Sequence, residues 1–150
     1  MSKPIEMIFL DNKKLRIKNY DLYINHYQEN TWIKVSDNSI GAYPRMLIKL
    51  VNPQNKNTFF MFLKNVNIVS KPDKTLVKSF SNIHFFKVAT TKQKYKKELD
   101  PLKYQISRLK TLQFVGLCID ETILLDDLKN DLYELELKQL LNLTERETYE

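Results

Sequence analysis

The strongest constraint on the fold lies near the C-terminus, where residues 120–143 place apolar side chains on two sides of one predicted helix. At about 100° per residue, Leu124, Leu125, Leu128, Leu132 and Leu135 fall within about a third of the circumference, the usual buried stripe of a surface helix. Tyr133, Leu137, Leu140 and Leu141 fall on the opposite side. Burying one apolar side chain is worth roughly 1.5–3 kcal/mol, so leaving those four wet would forfeit on the order of 5–10 kcal/mol. The second face therefore needs a second surface, either the preceding helix of the same chain or another subunit. Tyr133, Leu137, Leu140 and Leu141 are accordingly the expected partner-binding residues.

The same helix separates the charge. Residues 1–110 hold 21 Lys+Arg against 8 Asp+Glu, and residues 111–150 hold 3 against 10. A body of +13 attracts polyanions, nucleic acid first among them. An acidic helix of this kind can also fold back and neutralise that body.

Other classes are excluded by what the chain lacks. Two glycines leave no material for glycine-rich phosphate loops or a turn-dense sandwich. Residues 1–10 have neither a basic n-region nor a long apolar h-region, so no secretory signal is expected. The apolar run at 114–119 is far short of a membrane span. Cys118 stands alone and is read as a small buried hydrophobe rather than a disulfide or reactive thiol. These features predict a single intracellular domain, cytoplasmic or nuclear, with no membrane association.

The first ninety residues alternate with period two. Leu15 and Ile17 alternate with Lys14, Arg16 and Lys18, and Tyr20, Leu22, Ile24 and His26 with Asp21, Tyr23, Asn25 and Tyr27. A polar break at 28–30 precedes Trp32, Ile33 and Val35, and 37–39 breaks again, with Gly41 able to supply a positive φ. Two apolar segments, 46–51 and 58–63, flank a loop of hairpin length at 52–57. Phe59, Phe60, Met61, Phe62 and Leu63 leave no polar face, which predicts a central strand covered on both sides. Further strands are expected at 66–69, 76–80 and 83–88.

Beyond Thr90 a basic run leads to Asp100-Pro101, an N-cap and N1 pair that predicts a helix start. Leu102, Ile106 and Leu109 form its buried stripe. Gly116 interrupts 114–119 as a buried strand or a break between helices, Asp120 caps the last helix, and residues 144–150 are expected to fray. The predicted fold is α+β: a bent antiparallel sheet or small β-barrel, PH-like or OB-like, followed by two C-terminal helices. The order of strands first and helix last fits the PH-like arrangement better.

Few residues suggest chemistry. One cysteine and two histidines, His26 and His84, have no zinc spacing, and Asp127 with Asp131 reads as a solvated acidic face, so no metal or cofactor is expected. A metal-independent ribonuclease would need His26, His84 and Lys87 on adjoining strands. The favoured reading is a non-enzymatic nucleic-acid-associated protein acting within an oligomer or larger complex, without sequence-specific readout. Lys92, Lys94, Lys96, Lys97, Lys103, Arg108 and Lys110 would contact phosphates, and Tyr95 would stack on a base. The aromatic strand residues Tyr20, Tyr23, Tyr27, Trp32 and Tyr43 suit single strands. The alternative is a protein-interaction module, an inhibitor or assembly subunit, docking through the last helix.

Overall fold

Alternating strands followed by amphipathic helices give, in the computed structural model, one mixed sheet and then two helices; the model describes residues 3–149. The chain divides into two compact units, residues 1–88 with 144–150 and residues 89–143. No described helix is long and apolar enough to cross a membrane.

The strands are β1 (Ile5–Ile8), β2 (Lys14–Ile17), β3 (Asp21–Asn25), β4 (Trp32–Lys34), β5 (Ser39–Val51), β6 (Thr58–Ser70), β7 (Thr75–Lys78), β8 (Phe85–Val88) and β9 (Leu143–Arg146). Their order is β2-β1-β7-β6-β5-β3-β4, with β8 beside β6 and β9 beside β8. The path is open from β2 to β4, so the sheet is bent without closing into a barrel. It is also not purely antiparallel, because β1 pairs with β7 in parallel. Lys14 and Arg16 are exposed on the terminal strand β2, where charge discourages pairing with a second chain.

The bend has a local cause. Phe59, Met61 and Leu63 of β6 belong to the main core, and so do Val66 and Ile68, so the two-residue period slips by one at Asn65. Asn65 takes a left-handed φ of 45°. On β5 the core-facing set changes phase near the facing rung, from Leu50, Ile48 and Met46 to Tyr43, across Pro44 and Arg45. Proline is tolerated there because β3 accompanies β5 only over Ile48–Val51, leaving that side of Pro44 unpaired. A one-residue slip reverses every later side chain. Two slips at one rung therefore turn both halves of the sheet onto one core. That core joins Ile5, Met7 and Val77 to Leu22, Ile48, Leu50, Phe59 and Met61.

Several sequence expectations change in detail. The apolar segments are parts of two continuous 13-residue strands joined by the expected hairpin, closed by Asn52 N–H donating to Asn57 O at 2.8 Å. Phe59 to Leu63 are all buried, as a central strand requires. The positive φ before β5 belongs to Asn38, not Gly41; Gly41 lies within the strand beneath the ring of Tyr43. Residues 144–146 do not fray but belong to β9, and Tyr149 packs its ring against Tyr20, Phe59 and Phe85.

In the second unit, α1 (Lys96–Leu112) begins before Asp100-Pro101, which lies inside it. Tyr95 O accepts from Glu98 N–H and Leu99 N–H, starting the helix where Leu99 can be buried. Proline inside a helix costs about 3 kcal/mol through the lost hydrogen bond and the ring's clash with the preceding turn, most of which burial of Leu99 at roughly 1.5–3 kcal/mol offsets. Gly116, at φ 96°, ends a 3-10 turn over Gln113–Val115, so this segment is a break rather than a strand. The helix α2 (Ile119–Leu141) takes Cys118, not Asp120, as N-cap, and the cysteine is exposed. Leu102, Ile106 and Leu109 of α1 pack on Leu125, with Leu128, Leu132 and Leu135 around them.

Candidate nucleic-acid interface

The basic segment before α1 is built by alternation against a helix end. Asn142 adopts a left-handed conformation at the C-cap of α2, a position asparagine tolerates. Its Nδ2 donates to Ala89 O at 3.2 Å and Thr91 O at 3.1 Å, and its Oδ1 accepts from Gln93 N–H at 2.7 Å. Tyr95 extends the series, its hydroxyl donating to Leu143 O at 2.7 Å. Odd-numbered residues are thus tied down, and the even-numbered Lys92 and Lys94 are exposed. Asn142→Ala should remove three hydrogen bonds, at about 0.5–1.5 kcal/mol each, and a favourable left-handed residue. A stability loss of about 2–4 kcal/mol in chemical denaturation is expected.

Along α1, Lys96, Lys97, Lys103, Arg108 and Lys110 are all exposed. Lys96, Lys103 and Lys110 recur every seven residues, so they form one row on one flank, spaced roughly 10.5 Å apart along the axis. Lys103 and Lys110 line a shallow groove with Ile106, Ser107, Thr111 and Leu132. Lys97 and Arg108 point about 100–160° away from the members of that row. Arg108 lines a different groove, with Leu124 and Leu128, and its charge acts on Glu121. The seven predicted cations therefore share exposure but not one face.

Tyr95 is half-buried, with its hydroxyl donating to Leu143 O just beyond the end of α2, so the arrangement holds the ring as an anchor rather than offering it to a base. Tyr20 is buried and Tyr43 half-buried against the core, leaving Tyr23, Tyr27 and Trp32 as the predicted strand aromatics with access to solvent. On α2, Tyr133 and Leu137 are 8% and 1% exposed, Leu141 is half-buried and Leu140 is 56% exposed. The centre of the second face is therefore internal to the chain. The helix expected to cover it, α1, packs on the first face instead. Asp127 and Asp131 are exposed. His26 and His84 are not brought together by adjoining strands, because β5 and β6 lie between β3 and β8, a separation of roughly 14 Å.

The electrostatics differ from the division along the sequence. Residues 89–143 hold nine Lys+Arg and nine Asp+Glu, so the helical unit is neutral; the other 15 and 9 give the sheet unit the whole +6. At the start of α2, the Cys118 thiol, its backbone N–H and, more weakly, Arg108 hold the Glu121 carboxyl below the usual glutamate range. The N–H donates to Glu121 Oε1 at 3.2 Å. A carboxyl depressed in the folded state stabilises it above the unfolded value of about 4.3, and that stabilisation is lost as pH falls through the folded value. Glu121→Gln should thus lower the melting temperature slightly at neutral pH, with the difference closing in acid. Sequence reasoning missed Lys49, whose ammonium burial pushes below the usual lysine value. It is the lone charge within the apolar segment 46–51, a signal that needs the strand register before it acquires meaning.

Comparison with known proteins follows the same division. The family model described as the UU051 N-terminal domain matches residues 4–84, and that described as the uncharacterised protein UU051 C-terminal domain matches 96–146. The uncharacterized protein UU051 of Ureaplasma parvum serovar 3 is 36% identical over 148 residues, covering 94% of this chain and 86% of its own.

Proposed function

The chain belongs to the UU051 family, and on that footing we propose that it is a non-enzymatic, intracellular nucleic-acid-associated protein whose α1 flank contacts phosphates within an oligomer or larger complex. The observation that carries this reading is the exposed row of Lys96, Lys103 and Lys110, preceded by the exposed Lys92 and Lys94 on a segment that Thr91 and Gln93 tie to Asn142. Such a row neutralises backbone charge and presents no fixed donor set to base edges, so binding is non-sequence-specific. Because the helical unit is neutral overall, attraction depends on this local row and on the +6 of the sheet unit. The test is oligonucleotide affinity by fluorescence anisotropy across salt concentrations. Affinity should fall steeply as salt rises, and no binding at low salt would contradict the reading.

A protein-interaction role through α2 is the second reading. It is supported by Leu140 at 56%, Ile119 at 78% and Ile123 at 55% exposure on that helix. Tyr133 and Leu137 are buried and are not part of that exposed set.

A further inference from the structure

On the sheet unit, one register row crosses four strands as Lys34, Tyr23, Lys49 and Phe60. Directly paired residues share a face, and Trp32, two residues from Lys34, lies on the same one. The Lys49 ammonium sits 5.0 Å from the ring centroid of Tyr23 and 4.6 Å from that of Trp32. Lys34 is paired with Asp21 at 3.7 Å, but Lys49 forms no ion pair among the described residues. Two ring faces recover only part of what a desolvated ammonium loses, about 0.5–2 kcal/mol, so this cation is held ready for an anion from outside.

The rings are held as firmly as the cation. Trp32 packs 5.7 Å from Phe60, and its indole N–H donates to Asn30 Oδ1 at 3.1 Å. The β3–β4 loop is fixed by Asn25, only 6% exposed, whose Nδ2 donates to Glu29 O at 2.6 Å, and by His26 N–H donating to Thr31 O at 2.9 Å. Within this loop Tyr27 and Gln28 both adopt left-handed φ, 52° and 54°. Non-glycine residues there cost on the order of 1–3 kcal/mol each. Tyr27 recovers little by burial, being 80% exposed with one ring contact to His26. A well-bonded loop that spends strain to display an aromatic ring has the form of a contact surface.

We propose that Tyr23, Trp32 and Lys49, with Tyr27 of the adjoining β3–β4 loop, form a base-stacking subsite for single-stranded nucleic acid. The rings take unstacked bases and Lys49 pairs with the adjoining phosphate. This rests on the nucleic-acid reading above and deepens it: the α1 row supplies affinity for any phosphate chain, and the sheet subsite supplies preference for single strands. A base pair has no free face to offer these rings.

Trp32 is the sole tryptophan, so intrinsic fluorescence reads the subsite directly. The full chain is titrated at low salt with oligothymidylate, a duplex of equal length and inorganic polyphosphate. Oligothymidylate should quench Trp32 emission, and the other two should not. Tyr23→Leu should lower oligothymidylate affinity by roughly 5- to 150-fold, the range for one lost base stack. Tyr27→Ala, at an exposed position that leaves folding intact, should weaken binding in the same direction. Single-strand binding without quenching, equal quenching by polyphosphate, or unchanged affinity in both variants would overturn the subsite. Quenching by oligothymidylate that survives Lys96/Lys103/Lys110→Glu at full affinity supports the subsite and contradicts the α1 row. No binding of any probe overturns both.

Discussion

Leu137→Asp is expected to cost at least about 4 kcal/mol and to lower the denaturation midpoint of the chain strongly. Leu137 is 1% exposed within a single chain, so the substitution removes a buried side chain worth about 2–5 kcal/mol and places a carboxylate in its position. Leu140→Asp, one turn fraction away at 56% exposure, should change stability by no more than about 0.5 kcal/mol. The pair separates internal packing from partner docking. A chain that uses Leu137 for a partner would stay folded and lose only the partner. Urea denaturation followed by circular dichroism reads both variants, and equal stability of the two would contradict the assignment.

The second large effect concerns binding. Reversing Lys96, Lys103 and Lys110 to glutamate removes three phosphate contacts and adds three repulsions. With about 0.7 counterions released per single-strand contact, losing three contacts lowers affinity by roughly 500-fold at about 50 mM salt. All three side chains are exposed, so the fold should be preserved and the loss specific to binding. Reversing Glu98, Asp100 and Asp120 to lysine, also at exposed positions, should raise affinity instead.

The strands were legible because one-faced alternation survives in Leu22, Ile24, Ile48 and Leu50, and because Phe59 to Leu63 can only be central. The bend was legible in kind but not in cause. The slip at Asn65 becomes visible only when Phe59, Met61 and Leu63 are seen to share a core with Val66 and Ile68. The parallel pairing of β1 with β7 joins segments about seventy residues apart, and local periodicity carries no information on such pairing. Helix starts were misplaced for a related reason. Asp100-Pro101 and Asp120 are strong local signals, yet burial of Leu99 and the return of Glu121 to the Cys118 N–H set the true first turns.

Helix α2 is apolar on two sides, as its sequence requires. Both faces exist, but the stripe from Leu125 to Leu135 meets α1, and Tyr133 with Leu137 is buried in the same chain. Hydrophobic periodicity states that a face must be covered and is silent about what covers it. The charge division was similarly readable in amount and not in place. The acidic α2 shares a unit with the basic α1, which cancels the helical unit and leaves the excess on the sheet. Lys49 escaped notice because its partners, Tyr23 and Trp32, lie on other strands.

The most direct test of the account is the slope of log affinity against log salt for a single-stranded oligonucleotide, measured for the wild type and for Lys96/Lys103/Lys110→Glu. At about 0.7 per contact, the variant's slope should be shallower by roughly 2. Identical slopes, or a wild type whose affinity does not respond to salt, would contradict the assignment of the α1 row to phosphate binding.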